Sequence, residues 1–378
     1  MVGSGHATRN HAREILIGVG RRFPVSLRRV IKSDRMRTYF ICARWFGLLA
    51  AVAWVAPSAQ AGLEIQFDYR YDSRGFFSGL NMGRRQVLEA AASAIEARIA
   101  STPPAIRPAG INTWTLSFPN PNNGSNVSLR DLNVPAGVMM VFVGARQLSG
   151  GFIGYSEYNY TYFGDSSWVQ LFDGKDNADG FSPFGGAIAF DVDTPWYFDS
   201  TPETLEPFPG EYDFYSLALH ELGHLLGITA GARAFEALSD SGEFYGNQAQ
   251  AAFGGPVPLS PDGNHWRQDV TYAGTTASMA PTFFFGQRRP FSELDFAALA
   301  DIGYVLRPPI EPLLMIGVVV EGSQVTVTWQ GGAPPFELQT SPDMSDGSWK
   351  TVGSITNERS QTVEATTATG FFRVEEVP

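Results

Sequence analysis

The chain of 378 residues is poor in cysteine and histidine. Its one cysteine, Cys42, lies in an apolar segment near the N-terminus, and only three of its five histidines lie beyond residue 61. The region after that segment therefore has no cysteine for a disulfide, a thiolate metal ligand or a cysteine nucleophile. Any imidazole chemistry in this region has to come from His220, His224 and His265.

Basic residues are also scarce after residue 61. Residues 1–61 hold ten of the 27 Lys and Arg but only two of the 38 Asp and Glu, so residues 62–378 carry 17 basic and 36 acidic side chains. Their formal charge of −19 argues against nucleic acid and anionic membranes as partners. Apolar residues at 44% and aromatic residues at 13% predict a folded, globular chain.

The apolar run over residues 46–55 is too short for a membrane span. Two arginines precede it and an Ala-Gln-Ala sequence ends at Ala61, as in a secretory signal peptide. We predict a leader over residues 1–61, with translation starting at Met36, cleavage after Ala61 and no stable membrane span in the mature protein. Secretion is the expected localisation, and the absence of disulfides favours a bacterial source. The alternative is an N-terminal anchor that is retained.

Strand and helix patterns are mixed between residues 62 and 306. Apolar residues alternate in GLEIQFDYRY, recur at helical spacing over residues 82–100, and indicate further strands in TWTLSF, VMMVFVGAR and GGAIAFDVDTPWYF. A helix is predicted over about 212–226, and the segment SELDFAALADIGY predicts another with Ser292 as its N-cap. Residues 227–287 are expected to be irregular. This order indicates an α+β domain over residues 62–306.

The pattern changes after residue 306. Residues 307–312 are rich in proline, which predicts a semi-rigid linker. From residue 313 to residue 378, short alternating segments separated by turn residues predict a small all-β sandwich of the fibronectin type III or immunoglobulin kind. This domain has no histidine or cysteine. Its expected role is to bind a surface, a polysaccharide or a protein, with a passive spacer as the alternative.

The helix predicted over residues 212–226 carries the sequence HELGH. His220 and His224 are four residues apart, so they are separated by about 40° around the helix axis and both imidazoles can reach one ion. Glu221 stands beside the first histidine, where a carboxylate can take a proton from an attacking water. The surrounding residues are almost all apolar, and buried polar groups need partners. The motif predicts a zinc site; the alternative is a chance pattern on a surface helix.

The third ligand of such a site does not follow from the helix alone. Gly227 stands where glycine lets a helix end in a sharp turn. A histidine three residues later would complete the motif HExxHxxGxxH, but that position is Ala230. His265 is the remaining imidazole, unless it is an ordinary loop histidine. Glu236 or Glu243 would instead give a glutamate ligand, as in the gluzincins.

The segment DGNHWRQDVTYAGTTASMAP resembles the leishmanolysin-type metzincins, in which an insertion separates the helix glycine from the third histidine. The resemblance implies that His220, His224 and His265 bind one catalytic zinc ion, with Glu221 as general base and Met279 in a turn beneath the metal. It also implies a metzincin-like fold for residues 62–306 and a secreted metalloendopeptidase that cleaves proteins or peptides. The cysteine framework of leishmanolysin and the cysteine switch of matrixins have no counterpart in this sequence.

Two further segments extend the resemblance. The segment GGAIAFD resembles the edge strand that metzincins place above the metal, where an extended peptide can pair by backbone hydrogen bonds; an ordinary core strand is the alternative. The substrate-strand candidates are Gly186, Ala187, Ile188 and Ala189. The aromatic triplet Phe283, Phe284 and Phe285 is expected in the core, with an apolar substrate pocket as the alternative.

A calcium site and two alternative functions are also considered from the sequence. The acidic segment from Asp173 to Gly180 offers carboxylates for Ca²⁺ but lacks the EF-hand spacing, so a solvated loop is favoured. One alternative function is a non-catalytic, zinc-containing extracellular binding protein with a degenerate protease site. The other is a zinc hydrolase of non-peptide amides or esters.

Overall fold

The computed structural model describes residues 62–173, 184–199, 206–309, 313–332, 334–345, 347–364 and 370–377. They form two compact units that divide between Pro308 and Pro309. The predicted leader and residues 174–180 of the acidic segment, with the calcium prediction that falls on them, lie outside the described residues. Within the described ranges, no helix has the length and apolar character needed to cross a membrane.

The unit formed by residues 62–308 contains both helices and strands. Its helices are α1 (Gly83–Glu96), α2 (Ser166–Asp173), α3 (Phe214–Leu225), α4 (Arg233–Glu236), α5 (Asn247–Phe253) and α6 (Glu293–Asp301). Its longer strands are β1 (Glu64–Asp68), β2 (Thr113–Pro119), β3 (Asn126–Arg130), β4 (Val138–Arg146), β5 (Gly154–Glu157), β6 (Asn159–Phe163) and β7 (Gly185–Asp191). Two-residue strands follow at β8 (Trp196–Tyr197), β9 (Tyr212–Asp213), β10 (Ser239–Asp240), β11 (Glu243–Phe244), β12 (Val257–Pro258), β13 (Thr271–Tyr272) and β14 (Thr275–Thr276). The predicted α+β character is confirmed.

A four-stranded sheet in the order β1-β4-β7-β5 forms the centre of this unit. β1, β4 and β7 run parallel, and β5 runs antiparallel to β7 at the edge. Alternate residues of β4 pack into two different apolar clusters: Val141 faces α1 and α3, while Phe142 faces the smaller sheet β3-β2-β6 and α2. Both faces of the central sheet are therefore covered.

The interior place of β7 contradicts the prediction that this strand forms the substrate-binding edge. Its residues pair with β4 on one side and with β5 on the other, and every one of them is buried. Both rows of backbone groups are used inside the sheet, so a peptide has no free edge of β7 to pair with. The correction applies to Gly186, Ala187, Ile188 and Ala189. The edge strand is β5.

α3, which carries HELGH, is a buried helix, which explains why it is apolar on nearly all sides. Asp213 caps its N-terminus by accepting a hydrogen bond from the backbone N–H of Ser216. Arg288 holds the Asp213 carboxylate through two hydrogen bonds of 2.8 and 2.9 Å. The chain leaves the helix at Gly227, whose φ of +106° favours glycine.

Residues 227–287 are structured, contrary to the irregular region expected from the sequence. They contain α4, the three-stranded sheet β10-β11-β12, α5 and the β13-β14 hairpin. Phe235, Phe244 and Trp266 pack together in its interior, with ring centroids 4.6 to 5.9 Å apart. Helices of four and seven residues are too short to show a clear helical period, which explains the error.

The final helix of this unit, α6, begins as predicted. Ser292 caps it and forms a reciprocal capping box with Asp295. The buried Asp295 carboxylate also accepts a hydrogen bond of 2.8 Å from the indole nitrogen of Trp266. α6 is thereby joined to the residue that follows His265.

Residues 309–377 form the second unit, in which the described residues contain strands and no helix. Its strands are β15 (Leu314–Glu321), β16 (Gln324–Gln330), β17 (Phe336–Ser341), β18 (Lys350–Thr351), β19 (Ser360–Glu364) and β20 (Phe371–Glu376). They form two antiparallel sheets, β15-β16-β19 and β18-β17-β20. Trp329, Phe336 and Leu338 lie in their apolar core. Assignment to the fibronectin or immunoglobulin type remains a prediction.

Candidate metal centre

Three histidines meet at the base of a cleft. His220 and His224 lie on α3, and His265 lies in the loop that follows β12. The Nε2 atom of His224 is 3.1 Å from that of His220 and 3.2 Å from that of His265. Within the described ranges, these three residues are the one group of His, Cys, Asp or Glu side chains close enough to share a metal ion.

The partners of the Nδ1 atoms define which nitrogen of each ring carries hydrogen. His220 Nδ1 lies 2.8 Å from the Ser278 carbonyl oxygen and His224 Nδ1 lies 2.8 Å from that of Ile228. His265 Nδ1 lies 2.8 Å from a carboxylate oxygen of Asp262. Because these oxygens only accept, each Nδ1 is assigned as the N–H donor. The three Nε2 atoms are then free to bind a metal.

This arrangement fits a cation. Three Nε2 lone pairs that face one another at close range repel unless a positive charge lies between them. Nitrogen ligands at about 2.0–2.1 Å from tetrahedral zinc are about 3.3–3.4 Å apart, close to the two separations observed. Burial, reinforced by the neighbouring histidines, lowers the pKa of His220 well below its ordinary value, and burial and then His265 lower the pKa of His224 to about 3. Neutral rings are the form that binds metal.

The end of α3 supplies the partner of His224. Gly227 donates its N–H to the His224 carbonyl and Ile228 donates to the Gly223 carbonyl, which closes the last turn of the helix. The same turn returns the Ile228 carbonyl oxygen to His224 Nδ1. The glycine identified from the sequence therefore does more than end the helix, since it also sets the orientation of a histidine ring.

Met279 lies fully buried beneath α3. Its sulfur occupies the space above the Cα of Gly223, where any Cβ would overlap the sulfur and lie 3.0 Å from the ring of Phe291. The preceding residue, Ser278, supplies the carbonyl that holds His220. The turn around Met279 thus supports one histidine directly. The glycine inside HELGH, which the sequence interpretation missed, makes this close packing possible.

The inserted segment brings His265 back to the end of α3. Asn264 accepts hydrogen bonds from the Thr229 hydroxyl and the Ala230 N–H, at 2.9 and 3.0 Å. A histidine at position 230 would have completed the short motif, and the chain returns beside that position after 34 residues. Glu236 is exposed, and the Glu243 carboxylate accepts a hydrogen bond from Tyr245. Neither glutamate is part of the histidine cluster.

The Asp262 carboxylate accepts a hydrogen bond from His265. Replacement of Asp262 tests whether this bond supports zinc binding. We expect Asp262→Ala to lower zinc affinity by about 10- to 100-fold, because partners that orient a ligand imidazole typically contribute that much. Competition with a chelating dye measures the effect. Asp269→Ala is the matched control, since Asp269 is exposed and pairs with Arg267 in the same segment. Equal zinc affinity in the two variants would show that Asp262 has no supporting role.

Glu221 is buried beside the cluster, with 4% of its surface exposed. Burial raises the pKa of its carboxyl group to about 7, and a hydrogen bond from Ser156 opposes that rise. The Ser156 hydroxyl donates to Glu221 Oε2 at 2.6 Å. The other carboxylate oxygen, Oε1, lies against the Cα of Gly154, where a Cβ would overlap it. The sequence interpretation identified neither of these two residues of β5.

The cleft has a volume of about 710 Å³ and is bordered by β5 on one side. Asp191 donates its N–H to the Ile153 carbonyl at 2.9 Å, so alternate residues from Ile153 onward exchange hydrogen bonds with β7. The backbone groups of the residues between them, Gly154 and Ser156, face the opposite edge. No described strand pairs with that edge. An extended chain can therefore add to β5 next to the histidines.

The aromatic triplet divides between core and surface. Phe283 is buried, lines the cleft and meets the His220 ring edge to face at a centroid distance of 5.2 Å. Phe284 and Phe285 are more than half exposed, so the expectation that all three belong to the core is wrong for these two. Phe285 packs against Tyr212, which also lines the cleft.

Comparison with known families gives a match to part of the chain. Residues 161–235 match the family model described as Matrixin. The matched range contains HELGH and Gly227 but ends before His265 and Met279. No curated protein and no solved structure matches the chain. The match and the cluster of three histidines together support a metzincin-type protease.

Proposed function

We propose that the protein is a secreted zinc metalloendopeptidase in which His220, His224 and His265 bind one zinc ion and Glu221 is the general base. The observation that carries this proposal is the convergence of three Nε2 atoms beside a buried carboxylate at the base of an open cleft. Three protein ligands are the usual number for a catalytic zinc site, where a fourth position is kept open.

The chemistry follows from the side chains around the cleft. Bound zinc supplies a Lewis acid that polarises a carbonyl group and lowers the pKa of water to about 7. Glu221 accepts a proton from the attacking water and passes it to the leaving amine. The carbonyl groups of Ser278 and Ile228, with the carboxylate of Asp262, keep the histidine rings oriented.

The free edge of β5 favours an extended peptide as substrate. Backbone hydrogen bonds to an exposed strand edge bind a peptide with little dependence on its sequence, and adjacent pockets then select side chains. Phe283 forms part of the apolar lining beside His220. We infer a cleaved peptide that pairs with the free edge of β5 beside the metal centre.

Other parts of the chain receive roles in the same proposal. The arrangement resembles leishmanolysin-type metzincins through the distant His265 and through Met279 beneath the metal. Residues 1–61 are proposed to direct export, 62–306 to form the catalytic domain and 307–312 to form the linker. Residues 313–378 are proposed as a β-sandwich that binds a surface, a polysaccharide or a protein.

Casein and a mixed peptide library test the proposed activity. We expect internal cleavage of peptide bonds that stops when a chelator removes zinc and returns when zinc is added back. Sequencing of the new N-termini distinguishes internal cleavage from removal of terminal residues. Zinc-dependent hydrolysis of small esters or amides without peptide cleavage would favour the alternative hydrolase. Zinc binding without any hydrolysis would favour a non-catalytic binding protein with a degenerate protease site.

A further inference from the structure

We infer that Ser156 is a positioning residue that holds the carboxylate of Glu221 in its reactive orientation. This inference rests on the proposed peptidase function. It concerns a hydroxyl on the edge strand β5 rather than any residue of the HELGH motif. Ser156 would act through Glu221 and would not itself bind the metal.

The contacts of Glu221 support this role. The Ser156 hydroxyl, 2.6 Å from Oε2, is the side-chain donor that the described residues provide to this carboxylate. Leu217 lies on the same face of α3, close enough that a Cβ on Gly154 would be 2.8 Å from its methyl group. A buried carboxylate in apolar surroundings has few orientations that leave it hydrogen-bonded. The bond to Ser156 selects one of them.

The two oxygens of Glu221 have different neighbours. Oε2 accepts from Ser156, whereas Oε1 lies against the Cα of Gly154. Both neighbours belong to β5 and are separated by one residue, so their side-chain positions face α3 together. Ser156 therefore holds Oε2 by a hydrogen bond, and the absence of a side chain on Gly154 leaves the space that Oε1 occupies.

The same two residues of β5 connect the carboxylate with the substrate edge. The backbone groups of Gly154 and Ser156 face the unpaired side of the strand, as the bond between Asp191 and Ile153 requires. A peptide that pairs there would bond to the backbone of the residue whose side chain holds the general base. Substrate position and carboxylate orientation are therefore set by one short segment of chain.

Replacement of Ser156 tests this inference. We expect Ser156→Ala to lower kcat for a fluorogenic peptide by about 10-fold, a part of the 100- to 10,000-fold that a positioned general base typically contributes. KM and the zinc content should stay close to the wild-type values. Ser156→Thr retains the hydroxyl and should recover most of kcat. Ser128→Ala is the control, because Ser128 bonds to Ser117 on the smaller sheet.

Gly154→Ala provides an independent measurement. The new methyl group would overlap Oε1 of Glu221 and displace the carboxylate, so kcat should fall while zinc content is unchanged. Gly83→Ala is the matched control: Gly83 begins α1 away from the cleft lining, and a Cβ there meets nothing within 4 Å. This variant tests the same placement without touching the Ser156 hydroxyl.

The possible outcomes separate this inference from the proposed function. Wild-type protein that cleaves no peptide would contradict the proposed function itself. Active wild type with an unchanged kcat in Ser156→Ala would contradict only the positioning role. A loss of zinc or of thermal stability that parallels the loss of activity in both Ser156→Ala and Gly154→Ala would indicate a purely structural role and would also overturn the inference.

Discussion

Replacement of Glu221 by Gln is expected to lower kcat for peptide cleavage by about 100- to 10,000-fold, the contribution of a general base. Glutamine has nearly the same shape and can still accept the hydrogen bond from Ser156, but it cannot take a proton from water. The three histidines are unchanged, so the variant should bind one zinc ion per chain. Rates with a fluorogenic peptide and zinc content by mass spectrometry measure the two effects on one sample.

Glu236→Gln is the control for this replacement, because Glu236 is exposed at the end of α4. It should cleave at the wild-type rate. Undiminished cleavage by Glu221→Gln would remove Glu221 from the mechanism. Loss of zinc together with activity would instead show that the carboxylate supports the metal site and would leave its role as a base without support.

We expect replacement of His265 by Ala to remove both zinc and peptide cleavage. The expected fall in zinc affinity exceeds about 100-fold, since loss of a residue that merely orients a ligand already costs 10- to 100-fold. His220 and His224 would remain on α3 but would offer only two nitrogens. At a free zinc concentration well below the Kd of the variant, zinc should then no longer raise the melting temperature, because the stabilisation by a ligand depends on the logarithm of 1 + [L]/Kd.

The double variant Glu236→Ala, Glu243→Ala is the matched test of the other candidate ligands. It should bind zinc and cleave peptides as the wild type does. If it loses zinc while His265→Ala keeps it, the third ligand is a glutamate and the leishmanolysin-like arrangement is wrong. The two variants therefore give opposite results under the two arrangements.

The HELGH half of the site could be predicted from sequence because it depends on local geometry. Residues four apart on a helix face the same way whatever surrounds the helix. The role of Gly227 could be predicted in the same way, because a helix end of this kind needs positive φ, and φ is +106° there. His265 was predicted as the third ligand in a different way, from the small number of histidines and from a family resemblance. No local rule predicts that Asn264 joins the inserted segment to Ala230.

Strand order was the main failure of the sequence interpretation. A segment such as GGAIAFD, buried at every residue, is typical of a strand inside a sheet, and this signal should have argued against an edge. The true edge, Gly154–Glu157, is a four-residue strand with polar side chains and has a weak signal. Ser156 was missed for a related reason, because its importance depends on Glu221, which is 65 positions away and is brought into contact only by folding. Asp262 is only three positions from His265, but no motif marks it as a partner of that ring.

Zinc content and casein cleavage should be measured on the same wild-type sample before and after chelation, because together they show whether peptide cleavage depends on bound zinc. We expect one zinc ion per chain, cleavage that disappears when zinc is removed, and recovery of cleavage when one equivalent is restored. Protein that holds no zinc, or that cleaves casein equally well after zinc has been removed, would contradict this expectation.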